Sequence, residues 1–266
     1  MRKVRFYKYH GTGNDFILID NRSQSLVFES LGQINLLCDR RFGIGADGLI
    51  LLEESGSYDF RMKYYNSDGR ESTMCGNGGR CLVAFANFLG IIGNSTRFEA
   101  IDGIHQAWIT EIRDKISIVS LGMNDVKAIE KMNGAYVLNT GSPHYVSFCD
   151  SIQELNLVLE GRKIRNSDKF REPGINVNFI TAHGNTFSMR TYERGVEDET
   201  WSCGTGTVAA AIAIELEGKS HSENPVVIQT RGGILKVSFQ KKNNEFTDIR
   251  LIGPAEMVYE GIIEIN

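Results

Sequence analysis

No stretch of this chain stays apolar for the length of a membrane span. Its basic start, Met1-Arg2-Lys3-Val4-Arg5-Phe6, lacks the continuous apolar core and small-residue cleavage site of a secretory signal. Both absences give the expectation of a cytoplasmic protein with no membrane partner, whose thiols stay reduced. No run of lysine and arginine could track phosphates, and a net charge of −4 gives no electrostatic case for nucleic acid. The five cysteines, at positions 38, 75, 81, 149 and 203, have neither the paired short spacings of a zinc site nor a CxxC pair, so no metal is expected. Gly11-Thr12-Gly13 begins like a dinucleotide fingerprint, but Phe16 stands where the third glycine belongs, and there is no GxxxxGK phosphate loop. Asn21-Arg22-Ser23 and Asn94-Ser95-Thr96 fit the glycosylation pattern, which carries no weight without secretion.

What is present is a 266-residue chain, 41% apolar and 23% charged, the composition of a soluble globular protein of one large or two ordinary domains. Its dominant feature is a repeat. Met74-Cys75-Gly76-Asn77-Gly78-Gly79 and Ser202-Cys203-Gly204-Thr205-Gly206-Thr207 each put a cysteine before a glycine-studded turn and an unusually apolar run, at an offset of 128. Gly11 to Asp20 aligns with Gly141 to Asp150 at 130, placing Asn14 opposite His144; Tyr64 and Glu71 align with Tyr192 and Glu199 at 128. Leu31, Ile34, Leu37 and Cys38 have the spacing of one helical face, and Ile152, Leu155, Val158 and Leu159 reproduce it. Phe60-Met62-Tyr64, Phe187-Met189-Thr191 and Leu235-Val237-Phe239 alternate as half-buried strands do.

A helix apolar all round, as Leu82 to Leu89 and Val208 to Leu216 predict, must be enclosed on all sides. The expected fold is therefore α+β: two pseudo-symmetric repeat domains, each a curled mixed sheet around a central buried helix, with the active site in the cleft between them. The predicted domains are 1–122, joined by a closing strand from 254–266, and 123–253; the linker falls near residues 122 to 134, and Gly90 and Gly218 are predicted to stop the two helices.

Cys38, Cys81 and Cys149 sit within apolar periodic segments and read as small core residues. Cys75 and Cys203 instead precede a buried helix, beside glycines that allow close backbone approach. A thiolate there is stabilised by unpaired N–H groups and the positive end of the helix dipole, which makes it available as a base. The same N–H groups can hold a substrate carboxylate that accepts charge when its α-carbon loses a proton. Two such thiols make a two-base device, one removing a proton and the other returning one on the opposite face. A non-catalytic thiol sensor that binds a ligand or forms a disulfide is the alternative from another class.

His10-Gly11-Thr12-Gly13-Asn14-Asp15-Phe16, Gly45-Ala46-Asp47-Gly48, Asn66-Ser67-Asp68-Gly69, Cys75-Gly76-Asn77-Gly78, Tyr192-Glu193-Arg194-Gly195 and Cys203-Gly204-Thr205-Gly206, in this order over nearly the whole chain, resemble the diaminopimelate epimerase family. The resemblance implies interconversion of LL- and meso-2,6-diaminopimelate, on the route to lysine and bacterial cell wall, with no cofactor, no pyridoxal phosphate and no metal; a homodimer is the assembly expected with it. It makes Cys75 and Cys203 the acid/base thiols. Asn14, Asn66, Asn176, Glu193 and Arg194 match its substrate-contacting positions, and Gly76-Asn77 and Gly204-Thr205 its helix-end amides. Glu193 suits an ammonium and Arg194 a planar carboxylate, although an adjacent Glu-Arg pair is also what an exposed surface pair looks like. Asn176 reads equally as a turn residue beside Pro173-Gly174. His144 and Ser142 are candidate supporting residues, His144 reading equally as a hydrogen-bonded structural histidine. Two positions depart from the family pattern: Gly48 stands where many members have glutamine, and Ser142-Pro143-His144 where many have Asn-Pro-His. The nearest alternative is the related proline or hydroxyproline racemase family, whose substrate has no distal amino acid end.

Overall fold

The computed structural model describes residues 2–184, 186–220 and 225–265. The chain forms two compact units, one containing the described residues through Leu121 together with those from Gly253 on, the other Gly122–Ile252. Among the described residues no helix is long and apolar enough to cross a membrane.

The first unit contains β1 (Arg2–Gly11), β2 (Asn14–Asp20), α1 (Leu31–Cys38), β3 (Gly48–Glu53), β4 (Phe60–Asn66), β5 (Glu71–Ser72), α2 (Gly76–Phe88), β6 (Ser95–Ala100), β7 (Gly103–Arg113) and β8 (Ile116–Gly122). β2 and β3 run parallel, as do β4 and β6; the other neighbours are antiparallel. A late strand closes the ring. Gly253 to Glu256 pair with β8, and the continuation pairs with β1 from His10↔Glu256 to Arg2↔Ile265. A sheet closed on itself has no open edge along this path and leaves one interior.

That interior is filled by α2. Every residue from Gly76 to Ala86 is buried. An added Cβ at Gly78 would meet Ile50 of β3 and Phe16 of β2, and one at Gly79 would meet Leu121 of β8, so these glycines let the helix sit close against the wall. Phe85 lies against Tyr7 and Tyr9 of β1. Each such side chain taken fully out of water contributes about 1.5–3 kcal/mol. The amphipathic α1 packs outside, where Ile34, Leu37 and Cys38 join Ile17, Ile19, Leu49 and Leu51. Leu31, expected on that face, is exposed at the helix start.

The second unit repeats this plan with β9 (Ile129–Met132), β10 (Ala135–Asn139), β11 (Pro143–Phe148), α3 (Leu157–Arg165), β12 (Asn176–His183), β13 (Thr186–Glu193), β14 (Asp198–Thr200), α4 (Gly204–Leu216), β15 (Val226–Thr230), β16 (Gly233–Lys242) and the first part of β17 (Glu245–Ile265). β11–β12 and β13–β15 are its parallel pairs. Val126 bridges Phe246, and β9 then pairs with β10 to complete the ring. α4 is enclosed with Val146, Ile180, Phe187, Met189, Ile228, Leu235, Val237, Phe246 and Leu251 around it. Gly90 and Gly218 follow the two inner helices at positive φ, +72° and +64°, as helix stops do.

The structure corrects three details. α3 starts at Leu157 and not at Ile152, because the Asn156 side chain accepts the Leu159 N–H and caps the helix there; Ile152 and Leu155 precede it, and Leu159 is exposed. Strand register also revises the repeat. Gly78 abuts Ile50 and its counterpart Gly206 abuts Asn178; Ile50 pairs with Leu18, and Asn178 with Val146. Asn14 therefore corresponds to Ser142, and His144 to Phe16. Likewise Ile50 pairs with Tyr64 but Asn178 with Thr191, so Tyr64 matches Thr191 and Tyr65 matches Tyr192; one extra residue in the turn before Glu199 restores the offset.

Candidate active site

In the first unit Cys75 is the N-cap residue of α2, with extended backbone (φ −90°, ψ 129°). Its Sγ lies 3.6 Å from Oδ1 of Asn14, the first residue of β2. The amide of Asn14 has a fixed orientation: Nδ2 donates to Asp47 Oδ2 at 2.6 Å, and Oδ1 accepts from Asn77 Nδ2 at 3.2 Å. Asn77 is fixed in turn, because the fully buried Arg80 donates to its Oδ1 at 2.9 Å. Arg80 also bonds the Gly76 carbonyl, the Thr12 hydroxyl and the Pro254 carbonyl. Burial brings its guanidinium down to about 10, with the nearby Cys81 and Cys75 thiols acting against that shift, so it stays charged near neutrality.

Asp47 is braced by Arg40, which also grips Asp15 through two hydrogen bonds; Lys8 completes the cluster at 2.6 Å from Asp15. Burial would raise the Asp15 carboxyl, but hydrogen bonds from Arg40 and Lys8 outweigh it and bring it down to about 2. Asn66 sits exposed at the end of β4, opposite Gly48. Gly48 has no space for a side chain: a Cβ would stand 2.6 Å from both the Tyr64 ring and the Tyr65 carbonyl oxygen. The Tyr64 ring fills the room that a glutamine at this position would need.

In the second unit Cys203 is the N-cap of α4, and its Sγ accepts the Gly206 N–H at 3.4 Å. Thr205 Oγ1 lies 3.5 Å from the same sulfur and 2.9 Å from His144 Nε2. His144 Nδ1 faces Asn178 Nδ2 at 3.1 Å; Asn178 also donates to the Tyr145 carbonyl, and its Oδ1 accepts from Thr191. His144 is fully buried, and burial, with the charge of Arg194 adding to it, lowers the imidazole to about 3. It is a neutral ring.

Asn176 begins β12 and is nearly buried. It donates to Ser142 Oγ at 2.9 Å and accepts the Arg194 N–H at 2.8 Å, so it is a joint between strands and not a loose turn residue. Exposed Arg194 reaches the Pro173 carbonyl and Ser142 Oγ. Glu193 ends β13, half-buried beside it. The first unit thus gathers Cys75, Gly76, Asn77 and Asn14, with Asn66 at a strand end; the second gathers Cys203, Gly204, Thr205, His144, Ser142, Asn176 and Arg194, with Glu193 alongside. Asp47, Arg80, Asn178 and Thr191 were not read from the sequence as site residues. Asp47 lies inside a quoted motif, and Arg80 is the one charge in an otherwise apolar helix; Asn178 and Thr191 gave no signal.

Cys38 and Cys81 are buried, and burial pushes the Cys38 thiol up to about 12 and the Cys81 thiol beyond the ordinary range. Half-buried Cys149 shares a hydrogen bond with Thr181.

A family model described as diaminopimelate epimerase matches residues 6–127 and again 136–258, one match in each half of the repeat. The chain belongs to the diaminopimelate epimerase family. It is 55% identical over 261 residues to a protein of Flavobacterium psychrophilum named diaminopimelate epimerase, covering 98% of this chain and all of that one. The relative of that name from Chlorobaculum tepidum is 44% identical, with 96% and 99% coverage. Among solved structures, a Bacillus anthracis phenazine biosynthesis protein of the PhzF family superposes with a TM-score of 0.77 at 14% identity, both chains fully covered. A hydroxyproline epimerase from Agrobacterium vitis, with bound trans-4-hydroxy-L-proline, gives 0.72 at 12% identity, covering 99% and 91%. At these identities the two structures share the fold of the diaminopimelate epimerase family and carry no argument about substrate.

Proposed function

We propose that this protein is an isomerase that interconverts LL- and meso-2,6-diaminopimelate without a cofactor. The observation that carries the reading is the duplicated thiol: in a chain that matches this family twice, each unit places one cysteine at the N-cap of its enclosed helix. One sulfur, as thiolate, takes the α-proton; the electron pair left on carbon is shared with the adjacent carboxylate, and the other sulfur gives up its S–H proton to the opposite face. The reverse reaction exchanges the roles. General acid–base assistance of this kind is worth about two to four orders of magnitude per group, and stabilisation of the carbanion must supply much of the rest.

The N–H groups of Gly76-Asn77 and Gly204-Thr205 suit the carboxylate next to the reacting carbon, being the unpaired donors of the first helical turns. Glu193 suits an ammonium, and Arg194 the distal carboxylate, for which its planar fork is matched. Asn14, Asn66 and Asn176 supply amides that donate or accept. Ser142 offers a hydroxyl where many relatives have an amide, and Arg194 already touches it. A cytoplasmic location and a homodimeric assembly belong to the same reading.

The test is incubation of the reduced protein with LL-diaminopimelate in D₂O. The expected result is deuterium at the epimerised α-carbon as the meso isomer forms. Absence of exchange in folded protein refutes the reading, and exchange on proline alone selects the racemase alternative.

A further inference from the structure

We infer that the two thiols are not equivalent at rest: Cys203 is the thiolate and Cys75 the protonated thiol, each set by a hydrogen-bond chain that runs in one direction only. In the first unit the direction is fixed at both ends. A guanidinium can only donate and a carboxylate can only accept, so Arg80 donates to Asn77, Asn77 to Asn14 and Asn14 to Asp47. The atom this leaves against Cys75 is a carbonyl oxygen, Asn14 Oδ1. A thiol can donate to it; a thiolate is repelled by it.

In the second unit the polarity is reversed. Asn178 Oδ1 accepts from Thr191, which turns Nδ2 toward the Tyr145 carbonyl and His144 Nδ1. His144 is therefore an acceptor at Nδ1 and carries its proton on Nε2. Nε2–H donates to Thr205 Oγ1, which leaves the Thr205 hydroxyl proton for Cys203. The sulfur thus receives two donors, that hydroxyl and the Gly206 N–H. Both favour a negative sulfur, as hydrogen bonds to a charged form do. The register explains the asymmetry: the first unit has Phe16, Ile50 and Tyr64 where the second has His144, Asn178 and Thr191, and apolar side chains cannot form the relay.

Neighbouring charges act in both directions. Around Cys75, Asp47 and Asp15 are matched by Arg40 and Lys8, and Asp102, which accepts the Met74 N–H, contacts His105. Arg80 is the opposing influence, since its charge favours anionic Cys75; it contacts the site through Asn77, whereas Asn14 Oδ1 faces the sulfur itself. Arg80 instead eases the state reached after Cys75 has given up its proton. Around Cys203, Arg194 favours the anion and Glu193 opposes it, while Glu199 is matched by Arg190 and Arg231. In the proposed reaction, on which this last step rests, Cys203 is the first base and Cys75 the first acid.

The test is the pH dependence of iodoacetamide alkylation of the intact protein, with the Cys75 and Cys203 peptides quantified separately by mass spectrometry. Differences in exposure change the plateau rates and leave the midpoints alone. The expected midpoint for Cys203 lies at least one pH unit below that for Cys75, a tenfold difference in ionisation ratio. Thr205→Val raises the Cys203 midpoint, Thr205→Ser restores it, and neither moves Cys75. Coincident midpoints, a lower midpoint at Cys75, or a Cys203 midpoint unmoved in folded Thr205→Val overturns the inference. The measurement needs no turnover, so a protein inactive on diaminopimelate but with these midpoints refutes the proposed reaction and leaves the protonation states standing.

Discussion

Asn14 Nδ2 and Asp47 Oδ2 are 2.6 Å apart, and this one contact decides which face of the Asn14 amide meets Cys75. Asp47→Asn replaces an acceptor-only partner by one that can also donate, so the Asn14 amide loses its fixed orientation. A fall in kcat of about tenfold to a hundredfold is expected, the scale of small misplacements of reacting groups, with KM changed less. Deuterium-exchange kinetics on diaminopimelate measure it, and unchanged kcat in the folded variant removes Asp47 from the positioning role.

Arg80 is fully buried and donates to three carbonyl oxygens and one hydroxyl, counting the Asn77 side chain. Arg80→Met leaves these acceptors without a partner, and buried acceptors left so cost about 1–3 kcal/mol each. A loss of roughly 3 kcal/mol or more in urea unfolding is expected, with Arg80→Lys recovering part of it.

Gly206→Ala would place a Cβ 2.5 Å from Asn178 Oδ1, the amide that orients His144. Overpacking of this kind costs typically about 1–3 kcal/mol, and the relay to Cys203 should be disturbed with it. Gly93→Ala, where nothing lies within 4 Å, is the control and should leave the thermal midpoint nearly unchanged.

Much of the fold was legible, and the illegible part has definite causes. The two inner helices announce themselves because α2 and α4 lack a polar face of useful width, and only enclosure satisfies such a helix. The alternation of Phe60, Met62 and Tyr64 likewise marks residues that are buried. Closure of each ring was not legible, since the partner of β1 lies at the far end of the chain. The start of α3 was misplaced because the Asn156 cap outweighs the apolar spacing from Ile152 to Leu159. Asn14 was set against His144 because matching Gly11 with Gly141 forces an offset that strand register does not keep. Asn178 and Thr191 escaped notice since a polar residue in a strand reads as facing water, whereas these two bond to each other in the interior.

His144 and Asp15 give the protein an acid limit in two stages. His144 titrates near 6.5 when unfolded and near 3 when folded, so between those values the unfolded chain binds more protons and stability falls as pH drops below about 6.5. Asp15, near 3.8 unfolded and about 2 folded, contributes above its unfolded value and loses that contribution as pH falls toward 2, roughly 2 kcal/mol in all. Urea midpoints from pH 7 to 3 should decline from the first stage onward, and His144→Gln should flatten the slope between pH 6.5 and 4.

One strand, β17, supplies the closing partner first for the second ring and then for the first. During synthesis the earlier half of the chain therefore emerges with β1 and β8 unpaired along one side. It stays an open sheet with α2 uncovered until Gly253 to Ile265 has been made. The half that is translated first is thus completed last, and it is the half a chaperone would have to shield.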